Sequence, residues 1–388
     1  MTTTVRLRIS RLCVFFWRNG QLVCDDPVRH RQLALGAEAG RLLHRFADWA
    51  GVDADLDPAV GGNALLRQLL AAHVLVAEDS AEHRFEERLG PWSSWGTSAT
   101  YFHLASRNLH DEKFSTAAED TAWLVDQLPD RPQPPEFKEY PEAERFPLTR
   151  EDSDDLGGIG LAQALRARRS TRKFDTGRAM TEPQLAALLR WVGGPLHSVP
   201  SGEAAGLRPA VLKASPSPGA LQALEIYPVV LDVEGVAPGI YHYHSREHAL
   251  ESLRPGPVDR AEVVRWCGDQ TYLGDVGVLL LYTAVLERTA WKYRTGRVYR
   301  TLFMELGHVS QTAYLVGTAL GLGMLFSAAT RDAAIEDALG LEWDKEILLG
   351  LNGAGTPTTG EVARQRAMLE GGPAGFSFAG DAWDGLGS

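Results

Sequence analysis

Three short strings in this sequence carry residue types that could do chemistry. Arg168-Arg169-Ser170-Thr171-Arg172 places three guanidinium groups and two hydroxyls within five residues. Arginine suits bidentate contact with phosphate oxygens, and serine or threonine adds a neutral donor. Ala214-Ser215-Pro216-Ser217-Pro218-Gly219-Ala220-Leu221-Gln222 combines serine hydroxyls with a glycine, so its backbone can approach the polar edge of a flat ring closely. Trp291-Lys292-Tyr293 sets an amine beside a phenol. A lysine whose pKa is lowered by burial can take a proton, and a tyrosine hydroxyl can position or relay it. Each string also has a plain structural reading: a solvated basic face, an ordinary Pro-Ser-Gly turn, and an aromatic-rich helix start with a snorkelling lysine.

These strings need elements to hold them. A helix over Gly160–Arg169 ends in the arginine run. Thr181-Glu182-Pro183-Gln184 reads as a helix start with Thr181 as N-cap, leading into Leu185, Leu188 and Leu189. Strand candidates are Ile226–Val233, Gly239–His244, Val276–Thr283 and Ile347–Leu351. Val298, Leu302, Leu306, Val309, Ala313, Val316 and Leu320 keep a continuous 3–4 spacing, which predicts one long helix over Val298–Leu320. Upstream, Arg18-Asn19-Gly20 between two apolar runs predicts a hairpin, with helices over Ala37–Trp49 and Ala64–Leu75. That combination suits a winged-helix-like module able to hold a peptide, and suits a structural cap equally well. Residues 90–127 read as mostly helical, with Trp92, Trp95, Tyr101, Phe102 and Trp123 expected to bury. Six prolines between Pro129 and Pro147, interleaved with charges, predict an extended solvated linker.

The net charge of −11 argues against non-specific nucleic-acid binding, so any bound anion must sit on a local basic cluster. Three cysteines, Cys13, Cys24 and Cys267, have neither metal-ligand spacing nor the number for a disulfide framework, and read as buried apolar side chains in a reducing compartment. His242, His244 and His248 invite a metal reading, but no neighbouring carboxylate or cysteine in the sequence completes a site, so no metal is expected. No apolar run is long enough to span a bilayer and no secretory signal is evident, which makes the expected location cytoplasmic.

Taken in order, the strings resemble the SagB-type dehydrogenases of the nitroreductase superfamily, a branch that oxidises azoline rings in ribosomally made peptides. Arg-Arg-Ser-x-Arg-x-Phe-Asp at 168–175 is similar to the motif that holds the FMN phosphate there. Pro216-Ser217-Pro218-Gly219-Ala220-Leu221 follows the branch's Pro-Ser-x-Gly-Ala-Leu, with Ala220 where other nitroreductases carry Asn. Pro238-Gly239-Ile240-Tyr241-His242-Tyr243 is similar to its Pro-Gly-x-Tyr-x-Tyr hairpin, and Lys292-Tyr293 stands where the branch has its catalytic pair. The resemblance covers about residues 160–355. It implies FMN contacts from Arg168, Arg169, Ser170, Arg172, Pro216, Ser217, Gly219, Ala220, Leu221 and Gln222. Gly321 and Gly323 of Leu320-Gly321-Leu322-Gly323-Met324 would join them, and Lys292 and Tyr293 would carry the chemistry. Two departures stand out: Glu305 replaces the commoner Asp of an Asp-x-Gly-His string, and Thr312 stands where Asn is frequent.

The implied fold is α+β, a nitroreductase-like FMN-binding sandwich with a central antiparallel-rich sheet and a smaller N-terminal winged-helix-like module. The expected organisation is a module over 1–80, helical connecting residues 81–128, a proline-rich linker over 129–150, the dehydrogenase domain over 151–370 and a mobile tail over 371–388. The implied reaction is thiazoline or oxazoline oxidation to the azole, with oxygen reoxidising the flavin. The implied partners are an azoline-containing peptide, a cyclodehydratase and a second copy in a homodimer, with neither nucleic acid nor membrane. Two other readings remain open: an NAD(P)H-dependent nitro or quinone reductase of the same superfamily, and a non-catalytic scaffold in a biosynthetic complex.

Overall fold

The computed structural model describes residues 4–53, 64–150, 156, 158–200 and 206–370; the expected mobile tail lies outside them. The chain divides into two compact units, Met1–Phe114 with Thr295–Arg297, and Ser115–Arg294 with Val298–Ser388.

In the first unit, Val14–Arg18 and Gln21–Asp26 form the expected hairpin. Asn19 and Gly20 turn with φ of 49° and 76°, the left-handed pair that a two-residue turn requires. Arg31–Leu35 completes that antiparallel sheet, and a second one orders Ala50–Asp53, Thr4–Ile9 and Leu75–Ala77. The two expected helices are shorter than their apolar spacing suggested, Ala37–Arg45 and Ala64–Ala71. Tertiary pairing overrides the pattern, because Ala50 and Leu75 are taken up by ladders with Leu7 and Ile9. Trp95 and Phe102 are exposed, against expectation, because their helix, Gly96–Ala105, buries only Leu104.

The second unit is built on a seven-stranded, fully antiparallel sheet. Its order is Gly323–Ser327, Glu346–Gly355, Val278–Val285, Leu224–Val230, Gly239–His244, Ala249–Pro255 and Arg145–Pro147. The central strands read as unbroken apolar runs because both faces are covered. Leu280 and Tyr282 pack under the helices Glu182–Gly193 and Val298–Ala319, while their neighbours Leu279 and Leu281 pack toward Arg260–Trp266 and Asp332–Leu339. The strand expected to reach Val233 stops at Val230, since Leu231 and Asp232 both donate to the Gly277 carbonyl and turn the chain. Gln184 Oε1 accepts from Thr181 N at 3.0 Å, which closes the expected helix start.

The proline-rich stretch 129–150 contains no helix and stays mostly exposed or half-buried, as a solvated connector would, but it is also strapped to the domain. Proline lacks an N–H yet keeps its carbonyl. Arg131 O accepts from Trp291 Nε1 and Pro135 O from Arg288 Nε, each at 3.0 Å. Lys138 pairs with Glu346 at 2.5 Å, Tyr140 N donates to Glu251, and Arg145–Pro147 becomes the sheet's edge strand.

A buried chain of charge runs beneath this strap. Arg288 meets Glu225 at 2.6 Å, Glu225 meets His242 at 3.1 Å, His242 meets Glu251 at 2.8 Å, and Glu251 meets Arg145 at 2.8 Å. Burial opposes a charge on His242, but the hydrogen bonds and attraction of the two carboxylates outweigh it and lift its pKa above the usual 6.5. Burial likewise opposes ionisation of Glu225 and Glu251; Arg288 and His242 hold the first well below the usual range, and His242 with the Tyr140 amide holds the second below it. A histidine raised in this way stabilises fully below the unfolded value of 6.5 and loses that contribution as pH climbs through the folded value. The carboxylates act in the opposite sense, losing theirs as pH falls. Melting curves should therefore show wild type losing stability above about pH 6.5 more steeply than His242→Gln, which starts about 3 kcal/mol lower. Parallel profiles for the two proteins would mean that His242 is not charged in the fold.

Candidate functional site

The helix Leu161–Ala167 ends where the arginine run begins. Arg169 folds back onto the Arg166 and Arg168 carbonyls at 2.8 and 2.7 Å, capping that helix end. Thr171 is buried and its N–H donates to Met324 O at 2.8 Å. This close approach explains Gly323, where a Cβ would lie 2.7 Å from Thr171 Cγ2. Arg168 and Arg172 lie over the rings of Tyr314 and Tyr272, and among the described residues neither is paired with a carboxylate. Ser170 Oγ shares a 2.9 Å hydrogen bond with Tyr314 OH, which accepts in turn from Phe326 N at 2.8 Å. Arg168 and Ser170 thus share Tyr314 without an acidic partner among the described residues, a surface that suits a phosphate.

The Ser-Pro-Ser-Pro-Gly string is a left-handed turn. Gly219, Ala220 and Gln222 have φ of 64°, 56° and 48°, unusual for the two that carry a Cβ. Such a backbone persists only where its surroundings hold it. Gln222 N donates to Ser217 Oγ at 2.9 Å, and Ser217 donates to Glu305 Oε2 at 2.9 Å. Gln222 Nε2 reaches Val211 O at 2.9 Å, and Arg288 donates to Gln222 O at 2.8 Å. Ser215 bonds Thr312 at 2.7 Å, and His308 Nδ1 lies 3.1 Å from Pro216 O.

Glu305, His308, Thr312 and Tyr314 all belong to Val298–Ala319. That helix carries both the arginine run and the turn on anchor points spread over about 14 Å. Glu305 is nearly fully buried, and burial raises its pKa despite the Ser217 hydroxyl. Burial also pulls the Lys213 ammonium down, with Glu225 and Glu305 opposing and Arg288 reinforcing the fall. At the helix C-end, Gly321 has φ of 72° and Leu322 N donates to Gly317 O at 2.8 Å, so Gly321 is there as a cap.

Lys292 and Tyr293 close the site. Lys292 ends the helix Leu286–Lys292, and a Cβ on Gly219 would lie 2.7 Å from Tyr293 OH and 3.1 Å from Lys292 Nζ. The amine and the phenol therefore sit directly on the turn, though seventy residues of sequence separate them. Burial, with a smaller contribution from Asp120, raises the Tyr293 phenol pKa and keeps its hydroxyl protonated.

Residues 165–355 match the Nitroreductase family. This segment is a nitroreductase-family domain. Members of that oxidoreductase family typically bind a flavin. MJ1384 of Methanocaldococcus jannaschii, named as a nitroreductase, is 36% identical over 127 residues, covering 33% of this chain and 63% of that protein. The trifolitoxin-processing protein TfxB of Rhizobium leguminosarum bv. trifolii is 29% identical over 133 residues, 34% of this chain and 36% of its own. The microcin B17-processing protein McbC of Escherichia coli is 30% identical over 137 residues, 34% and 50% respectively. The chain thus matches less than two thirds of the length of each.

The hairpin histidines are engaged inside the domain. His242 lies between Glu225 and Glu251, two carboxylates that the sequence did not place beside it, and His248 bonds Tyr243 OH and Thr149 O. Among the described residues no group of three or more His, Cys, Asp and Glu could hold a metal ion. No helix among them is long and apolar enough to cross a membrane. Sequence reasoning missed Arg288, Lys213 and Tyr314. Tyr314 lies outside the 3–4 series of the long helix, and its hydroxyl was its only signal. Arg364, a late basic residue, pairs with Glu361 at 2.5 Å.

Gly219 gives a direct test of the turn. Gly219→Ala forces a Cβ into the Tyr293 and Lys292 contacts at a left-handed φ, and should destabilise the protein by about 1–3 kcal/mol in denaturant unfolding. Unchanged stability would mean that Lys292 and Tyr293 do not rest on the turn.

Proposed function

We propose that this chain is an FMN-dependent dehydrogenase that oxidises thiazoline or oxazoline rings to thiazole or oxazole in a ribosomally made peptide. The observation that carries the reading is the seating of Lys292 and Tyr293 on the Gly219 turn. A nitro or quinone reductase needs no base beside its flavin. Removing two hydrogens from an azoline does need one, since an acidic Cα proton must leave along with the Cβ hydride. The names of TfxB and McbC, each a processing protein for trifolitoxin or microcin B17, support the same class of substrate.

The residues present fit FMN. Arg168, Arg172 and Ser170 would hold the phosphate, with Arg169 closing the helix end behind them. Pro216, Ser217, Gly219, Ala220, Leu221 and Gln222 would border the ring, and Gly321 and Gly323 would shape the chain that backs the arginine run. Bound FMN would supply a two-electron acceptor. Lys292 takes the Cα proton of the azoline. Tyr293, kept protonated, donates a hydrogen bond that orients the ring and steadies the charge left as the proton departs. Glu305 acts through Ser217 to keep the turn in its left-handed shape.

A homodimer fits the surface. Tyr299, Phe303 and Met304 are exposed on the long helix, and Leu161 and Leu165 on the helix before the arginine run. A second copy would cover apolar side chains that solvent otherwise meets. The N-terminal unit would recognise the peptide or dock a cyclodehydratase that makes the ring.

Purified protein with FMN should be yellow, and mass spectrometry should report the loss of two hydrogens from a thiazoline peptide. Lys292→Ala should lower that oxidation at least about 100-fold while leaving flavin absorbance intact. Oxidation that survives the substitution would sink the azoline reading. A colourless protein that gains no flavin band would favour a scaffold.

A further inference from the structure

A small apolar cluster stands apart from the sheet's two cores. Leu124, Leu207 and Trp291 form it, with Trp123, Val125 and Leu128 packed behind. In front of it opens a cavity of about 50 Å³, bounded on one side by the backbone of Gly219, Ala220, Leu221 and Gln222, and by Lys292. A single water needs roughly 10–15 Å³ of such space, so the cavity holds a few atoms and not a bulky side chain. Its far wall is the strapped proline segment, Gln133–Glu136, facing Arg208 and Ala210.

The same cavity thus presents apolar walls beside the amine that would remove the azoline proton.

We propose that this cavity is a specificity pocket for the residue flanking the ring to be oxidised, resting on the azoline reading above. The side chain of that residue lies against Leu124, Leu207 and Trp291. The volume restricts the side chain to about the size of glycine, alanine or serine. The proline segment, which the sequence presents as a linker, therefore selects the substrate.

The test compares two thiazoline peptides that differ only in the flanking residue, glycine or leucine. Wild-type protein loaded with FMN should prefer the glycine peptide at least about tenfold in kcat/KM. Leu207→Ala should narrow that preference about tenfold by opening the wall, and Ala210→Leu should widen it by adding volume. Equal turnover of the two peptides by wild type, or a preference untouched by both wall substitutions, overturns the pocket while leaving the azoline reading standing. If wild type oxidises neither peptide, the azoline reading fails and the pocket assignment falls with it.

Discussion

The Arg288–Glu225 ion pair is the constraint on which the second unit's architecture rests. Both groups are buried, so each would be strongly unfavourable alone, and removing either takes from the other its nearest counter-charge. Arg288 also distributes its other donors: one to Pro135 O in the proline strap and one to Gln222 O at the end of the left-handed turn. A planar guanidinium offers donors in a rigid fork, so fixing one partner fixes the direction of the rest. Sheet, strap and turn are therefore held in one geometry by a single side chain. Lysine, with a point charge on a flexible stem, could not impose that arrangement.

The long helix plays a complementary part. Its apolar positions bury against the sheet, and its polar ones tie down the chemistry: Glu305 and Thr312 hold the serines of the turn, and Tyr314 holds Ser170. A helix with regular rise is a rigid rail, so the arginine run and the turn stay a fixed distance apart although a long stretch of chain separates them. The two sequence departures acquire a meaning here. Glu305 reaches Ser217, and Thr312 meets Ser215 at 2.7 Å with a hydroxyl in place of a side-chain amide.

Much of this organisation was legible before any coordinates. The strand Gly239–His244 is the span expected, and the long helix matches within a residue at its end. Strong periodicity over a long window leaves little choice of element. The misreadings share a cause. The proline segment is polar and donor-poor, so locally it looks like a solvated connector, and only the distant donors Trp291 and Arg288 make it part of the fold. The helices of the first unit end early because Ala50 and Leu75 have strand partners far away in sequence. Trp95 remains exposed because a short helix cannot bury aromatic residues on every side.

By itself, then, the sequence determined which groups were available: a cluster of guanidinium groups at a helix end, a glycine turn, a lysine beside a tyrosine, and the periodicities of the elements that carry them. Those are local properties, set by side-chain chemistry and by repeats of two or 3.6 residues. Only the tertiary structure decided which of them meet. It put Gly219 under Lys292 and Tyr293, and gave Arg169 to the helix end while leaving Arg168 and Arg172, among the described residues, unpaired with carboxylates. Such meetings depend on sheet order and on buried charge pairing between residues tens to hundreds apart, and local pattern does not encode them.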